Sequence, residues 1–153
     1  MIEEILASHP QVQLSADIGR PDKFKGDLPM AYVQLKTGGD ITPEDLISYC
    51  QTHMQERAAI PVEIVLIDQM PLTPVGKVFK PALRIDAMKL VAKRVAESVI
   101  SGAHTVDILV DESKRRPKII LCIPSAGEDL TTLIAKLNEA FKGFDFLTEI
   151  VAS

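Results

Sequence analysis

The sequence predicts an α+β fold: a small three-stranded sheet with flanking helices, followed by an appended β-β-α-β unit. Three observations carry that prediction. Apolar residues fall into helical and strand periods in the order α-β-β-α-β-loop-α-β-β-α-β, without strict β-α alternation. Hydrophobic residues make up 46% of the 153 and charged residues 25%, a globular composition long enough for one ordinary domain or two small ones. A soft boundary near Arg84–Ala87, with no repeat and no low-complexity linker, divides residues 1–86 from residues 87–153.

Ile2, Ile5 and Leu6 share a helical face, and that pattern stops at Ser8-His9-Pro10. A helix that begins almost at Met1 reads as the start of a piece cut from a longer protein. Val12 to Gly19 is a weak strand, and Gly19-Arg20-Pro21-Asp22 is read as the turn after it. Leu28 to Leu35 is a stronger strand, with Met30, Tyr32 and Gln34 on one face and Ala31, Val33 and Leu35 on the other.

Thr42-Pro43-Glu44-Asp45 starts a helix, with Thr42 as N-cap, Pro43 in the first position and acids in the first turn. Leu46, Ile47, Cys50, His53 and Met54 continue its inward stripe, which makes His53 a core-edge histidine. Pro61 closes that segment, Val62 to Ile67 is the third strand, and a proline-rich loop follows. Met88, Val91, Val95 and Val99 mark a helix over 87–101 with Gly102 as its stop. Val106–Val110 and Ile119–Ile123 pair around the basic turn Asp111–Lys118. Leu130, Leu133, Ile134, Leu137 and Phe141 form a last helix ended by Gly143, and Phe146–Val151 is a final strand.

Composition excludes several classes. The net charge of -4, with basic clusters only at Lys89–Arg94 and Lys114–Lys118, gives no footprint for nucleic acid. No apolar run reaches membrane-spanning length, and the acidic, amphipathic first ten residues are no signal peptide. Cys50 and Cys122 read as free thiols, and His9, His53 and His104 have no metal-ligand spacing, so no metal is expected. A reducing cytoplasm fits this cysteine usage.

Chemistry concentrates in Pro71-Leu72-Thr73-Pro74-Val75-Gly76-Lys77. Pro71 and Pro74 preset φ, Gly76 permits angles closed to other residues, and the loop ends on a cation. It is not a P-loop: position 71 is Pro71 where a glycine is required, and Val78 stands where a hydroxyl residue should follow the lysine. A mobile ammonium on a stiff loop suits chemistry at phosphate or carboxylate charge. Asp22 reads as a turn aspartate and Glu63 as an exposed strand glutamate, not as an acid/base pair. Lys80 and Arg84 read as solvent-facing.

Ile64 through Val78, with its Pro-x-x-x-x-Gly-Lys pattern ending on Lys77, resembles the last core motif of the adenylate-forming (AMP-binding) superfamily. That superfamily includes acyl- and aryl-CoA synthetases, peptide-synthetase adenylation domains and luciferases. Ile2-Glu3-Glu4-Ile5-Leu6 with Ser8-His9-Pro10 resembles the helix after the family's interdomain hinge. Gly19-Arg20-Pro21-Asp22, Gly26 with Leu28–Val33, and Thr42–Leu46 are similar to the motifs that follow. Phe79-Lys80-Pro81-Ala82-Leu83-Arg84 resembles the bacterial acyl-CoA synthetase branch, and residues 87–153 its C-terminal extension.

The resemblance implies the small mobile C-terminal domain of an ATP-dependent acid–thiol ligase, of the kind used in fatty acid metabolism. Lys77 is then the adenylation lysine, positioned by Pro71 and Gly76. It acts as a carboxylic acid attacks the α-phosphate of ATP to give acyl-AMP and pyrophosphate, and it withdraws when the domain rotates to help build the CoA channel. ATP, CoA and Mg2+ belong to the full enzyme, with none bound by this domain alone, which is expected to be inactive. The main partner is a large N-terminal adenylation domain absent from this chain. Residues 87–153 are candidates for packing against that domain or a neighbouring subunit in a homo-oligomer.

The family's lysine loop is also a target of reversible acetylation, which would remove the Lys77 charge. Ala58-Ala59-Ile60 precede Pro61 where the family often has a basic pair, leaving Arg57, with Lys80, as candidate contacts to nucleotide or CoA phosphate. The alternative is a freestanding, non-catalytic binding or regulatory module of the same fold.

Overall fold

The structure, a computed structural model, describes residues 2–100, 107–113, 117–123 and 130–152. It is α+β, with helices α1 (Ile2–Ala7), α2 (Pro43–His53), α3 (Lys80–Val99) and α4 (Leu130–Ala140). Strands β1 (Val12–Asp22), β2 (Gly26–Leu35) and β3 (Glu63–Leu66) form one sheet in that order. Strands β4 (Asp107–Asp111), β5 (Lys118–Ile123) and β6 (Leu147–Ala152) form a second. The chain divides into two compact units: residues up to Arg20 with Asp27–Arg84, and Pro21–Gly26 with residues from Ile85 onward.

In the first unit β2 is the central strand. It pairs with β3 in parallel, Met30 opposite Glu63 and Val33 opposite Leu66. Ala31 and Val33 sit in a core with Ile2, Leu6, Val12, Leu46, Cys50, Met54 and Ile64, so α1 and α2 cover that face. Met30 and Tyr32, which alternate to the other face, are also fully buried. Thr42 caps α2 by accepting the Asp45 N–H at 3.1 Å, with Pro43 in the first helical position. Gln11 holds the approach to α2, its Oε1 accepting the N–H groups of Asp40 and Ile41 at 2.9 and 3.0 Å.

In the second unit β4 and β5 are antiparallel, and β5 and β6 are parallel through α4. Ile119, Leu121 and Ile123 pack against Ala92, Ala96, Leu137, Phe141 and Phe146. The alternate residues face outward, and Leu109, Leu147 and Val151 are 55%, 41% and 42% exposed.

Several expectations change. The hairpin turn lies at residues 23–25 rather than at Gly19–Asp22, because Gly19, Arg20 and Pro21 continue β1. Asp22 organises the turn from its edge, its carboxylate accepting the Phe24 and Lys25 N–H groups at 3.1 and 2.9 Å. Helix α3 begins at Lys80, seven residues before the expected Ala87, so Arg84–Ala87 lies inside a continuous helix. His53 is exposed rather than on the core edge. Its Nδ1 lies 2.8 Å from the Tyr49 carbonyl, and its ring packs 4.1 Å from the Tyr49 ring. Glu63 is not free in solvent: it pairs with Arg20 at 3.0 Å, joining β1 to β3 across β2. The expected stop at Gly102, His104, and part of the Asp111–Lys118 turn lie outside the described residues.

Leu46 has no exposed surface and belongs to the first core. Leu46→Ala is expected to cost about 2–5 kcal/mol of stability, read by urea unfolding.

Candidate functional site

The Lys77 loop is a small hairpin. Leu72 and Val78 bridge its arms, and the Phe79 N–H donates to the Pro71 carbonyl at 2.8 Å. At the tip the Gly76 N–H donates to the Thr73 carbonyl at 2.9 Å, closing a β-turn with Pro74 and Val75 in the central positions. Proline in the first central position presets that turn. Val75 does not have positive φ, which selects a type I rather than a type II turn, and Gly76 follows at φ 83°. The Thr73 N–H then donates to the Lys77 carbonyl at 2.7 Å, while the Lys77 N–H donates to the Thr73 hydroxyl at 3.2 Å. Gly76 is needed for its backbone angle and not for room, since a Cβ there would meet nothing within 4 Å.

The base of the hairpin is fixed on one side by the buried Met70, whose N–H donates to Gln34 Oε1 at 2.7 Å. Lys77 itself is exposed, and among the described residues its ammonium meets no carboxylate. Val75, 81% exposed, stands beside it at the tip. The arrangement presents an ammonium that is uncompensated among the described residues, on a backbone-stiffened support.

Lys80 is different. Its ammonium lies 2.7 Å from Glu3 and 3.2 Å from Asp17, so the expectation that it faces solvent freely is corrected. Arg84 is exposed, as expected. Hydrogen bonding with Glu3 and contact with Lys80 hold the Asp17 carboxyl below its ordinary value, against burial, which raises it. Contact with Glu3, and then with Asp17, raises Lys80 above its ordinary value.

Arg57 is exposed and opens a short 3-10 turn, Arg57–Ala59. It rims a groove of about 820 Å³ lined also by Ile47, Gln51, Met54, Ile60 and Pro61. Burial pushes the Cys50 thiol up, and Cys122 is half-buried; both are free. Among the described residues no cluster of three or more His, Cys, Asp or Glu is placed to hold a metal, and no helix is long and apolar enough to cross a membrane. The Lys80–Glu3–Asp17 cluster was not found from sequence, because its members lie far apart along the chain and each is an ordinary charged residue.

The first unit's layered sheet and its lysine hairpin define a class: a small α+β domain that presents an exposed lysine on a stiff hairpin. The chain belongs to the family of the AMP-binding enzyme C-terminal domain, which matches residues 1–77. It is 38% identical over 111 residues, 72% of its length, to a marinolic acid–CoA ligase of Pseudoalteromonas sp., of which it covers 16%. It is also similar to the amide bond synthetase McbA from Marinactinospora thermotolerans, at 31% identity and a TM-score of 0.51, over 55% of this chain and 17% of that one. For a Mycobacterium tuberculosis fatty acyl CoA synthetase the identity is 28% and the TM-score 0.51, over 56% and 16%. The chain thus spans about a sixth of the length of these relatives.

Gly76→Ala is expected to weaken the hairpin by about 1–2 kcal/mol through its backbone angle alone, seen as faster amide exchange at Gly76 and Lys77 positions without loss of the core. A second expectation concerns pH. Asp17, lowered from 3.8, contributes stability that is present above that value and is lost as the pH falls through its lower folded value. Lys80, raised from 10.5, contributes stability below that value, lost as the pH rises through its higher folded value. The stability gap between wild type and Asp17→Asn, measured by thermal melts, should therefore be full at neutral pH and shrink below pH 3.8.

Proposed function

We propose that this chain is the C-terminal domain of an ATP-dependent acyl-CoA synthetase and that Lys77 is its adenylation lysine. The observation that carries this reading is the exposed Lys77 ammonium, uncompensated among the described residues, on a hairpin fixed by Pro74, Gly76 and the Leu72–Val78 bridge. The CoA ligase and acyl-CoA synthetase named among its relatives support it.

In this reading a carboxylate oxygen of the acid bonds to the α-phosphorus of ATP, and the bond to pyrophosphate breaks. Negative charge gathers on the carboxylate, the phosphate and the bridging oxygen. A protonated lysine stabilises that charge best when it is preorganised and dry, and its compact head can later withdraw. Mg2+ would share the charge on ATP; its ligands would come from elsewhere in the enzyme. The partner is a large N-terminal adenylation domain that binds ATP and the acid. Arg57, over its groove, is the candidate contact for a CoA phosphate in the second step. A cytoplasmic location and fatty or other carboxylic acids as substrates complete the proposal.

In the full-length enzyme, Lys77→Ala should lower pyrophosphate formation by roughly 10²–10³ and leave thioester formation from supplied acyl-adenylate in place. Acetylation of Lys77 should produce the same split. Equal loss of both half-reactions, or none, would sink the assignment; so would robust pyrophosphate release by this chain alone with ATP, magnesium and a panel of acids.

A further inference from the structure

We propose that Lys80 is the positioning residue of the Lys77 hairpin: it locks the end of the hairpin onto α1 and β1, so that Lys77 moves as one body with them. The proposal rests on the reading of Lys77 above. Lys80 lies three residues beyond Lys77, a tether of at most about 10 Å. Its ammonium reaches Glu3 on α1 at 2.7 Å and Asp17 on β1 at 3.2 Å. That base is itself fixed. Glu3 Oε1 also accepts the Asp17 N–H at 3.0 Å, and the Glu3 carbonyl accepts the Ser15 hydroxyl at 3.2 Å.

The surroundings make Lys80 decisive. Phe79, Pro81 and Ala82 are exposed, and Leu83 is the first buried side chain of α3. Between the Leu72–Val78 bridge and Leu83, Lys80 is, among the described residues, the side chain that makes ion pairs to α1 and β1. The other foot is tied by Met70 through Gln34. With both feet held, the hairpin cannot tilt without breaking one of them. Half-exposed ion pairs add little to global stability, so fixing geometry is the larger effect here. A contact from Lys80 to nucleotide phosphate would require giving up both carboxylates, and the geometry favours the anchor over that role. The anchor matters to the chemistry because a misplacement of about 1 Å can cost roughly 10² in rate.

The test has two arms. In this chain, Lys80→Met should speed hydrogen exchange of the Lys77 and Phe79 amides about tenfold and leave the Val33 amide unchanged, while Lys80→Arg stays near wild type. No change, or an equal rise at Val33, would overturn the anchor. In the full-length enzyme, Lys80→Met should lower kcat for pyrophosphate formation about 10–100-fold with KM for ATP unchanged, spare thioester formation from acyl-adenylate, and be rescued by Lys80→Arg. Full retention of rate, equal loss of both half-reactions, or a rise in KM alone would overturn it. Lys77→Ala run in parallel separates the two ideas. An inert Lys77→Ala removes the catalytic purpose of the hairpin, whereas the exchange arm still judges the anchor.

Discussion

Strand β2 has no exposed face between Met30 and Val33, and the first unit is arranged to make that possible. A strand buried on both faces must pair all its backbone groups, because an unpaired N–H or C=O has no water to turn to. β1 and β3 provide that pairing on its two edges. Ala31 and Val33 call for α1 and α2 on one side; Met30 and Tyr32 call for cover on the other. Gln34, next in that second alternation, reaches outward to the Met70 backbone. The lysine hairpin is thus held by the same strand whose burial organises the unit, and its position follows from packing rather than from the loop's own composition.

Two lysines three residues apart meet different surroundings. Lys80 faces two carboxylates and is electrostatically spent; Lys77 faces none among the described residues. A compact ammonium on a flexible stem can serve as a tie or as a movable charge, and its surroundings decide which. Lys80 has the surroundings of a tie, and Lys77, among the described residues, does not.

Local signals were legible in the sequence. Thr42 and Pro43 announced α2, alternation announced β2, and the i, i+3, i+4 stripe from Leu130 announced α4, because each depends on neighbours within one or two turns. The hairpin was legible through Pro74 and Gly76 as a stiff turn, although its hydrogen-bond pattern was not. The start of α3 is hard to read: Pro81 lies near its first position and Leu83 and Ala87 are four apart, but the stronger stripe begins only at Met88. The turn after β1 was misplaced because Gly19 and Pro21 are turn residues by habit, yet both lie in a strand that Asp22 terminates. Arg20–Glu63 and Lys80–Glu3–Asp17 could not be read, because charged residues carry no periodic mark of the distant partner they will meet.

The continuity of α3 bears on the order of events as the chain is made. Leu83 is buried, and the opening turn of α3 groups with the first unit while the rest of the helix groups with the second. Starting a helix is its unfavourable step, and adding to one is not. Once Lys80 to Arg84 are in place, the residues that follow extend a helix already begun. The second unit therefore inherits a nucleus instead of forming one, and its strands and α4 arrive against a ready surface of Ala92, Ala96 and Ile100.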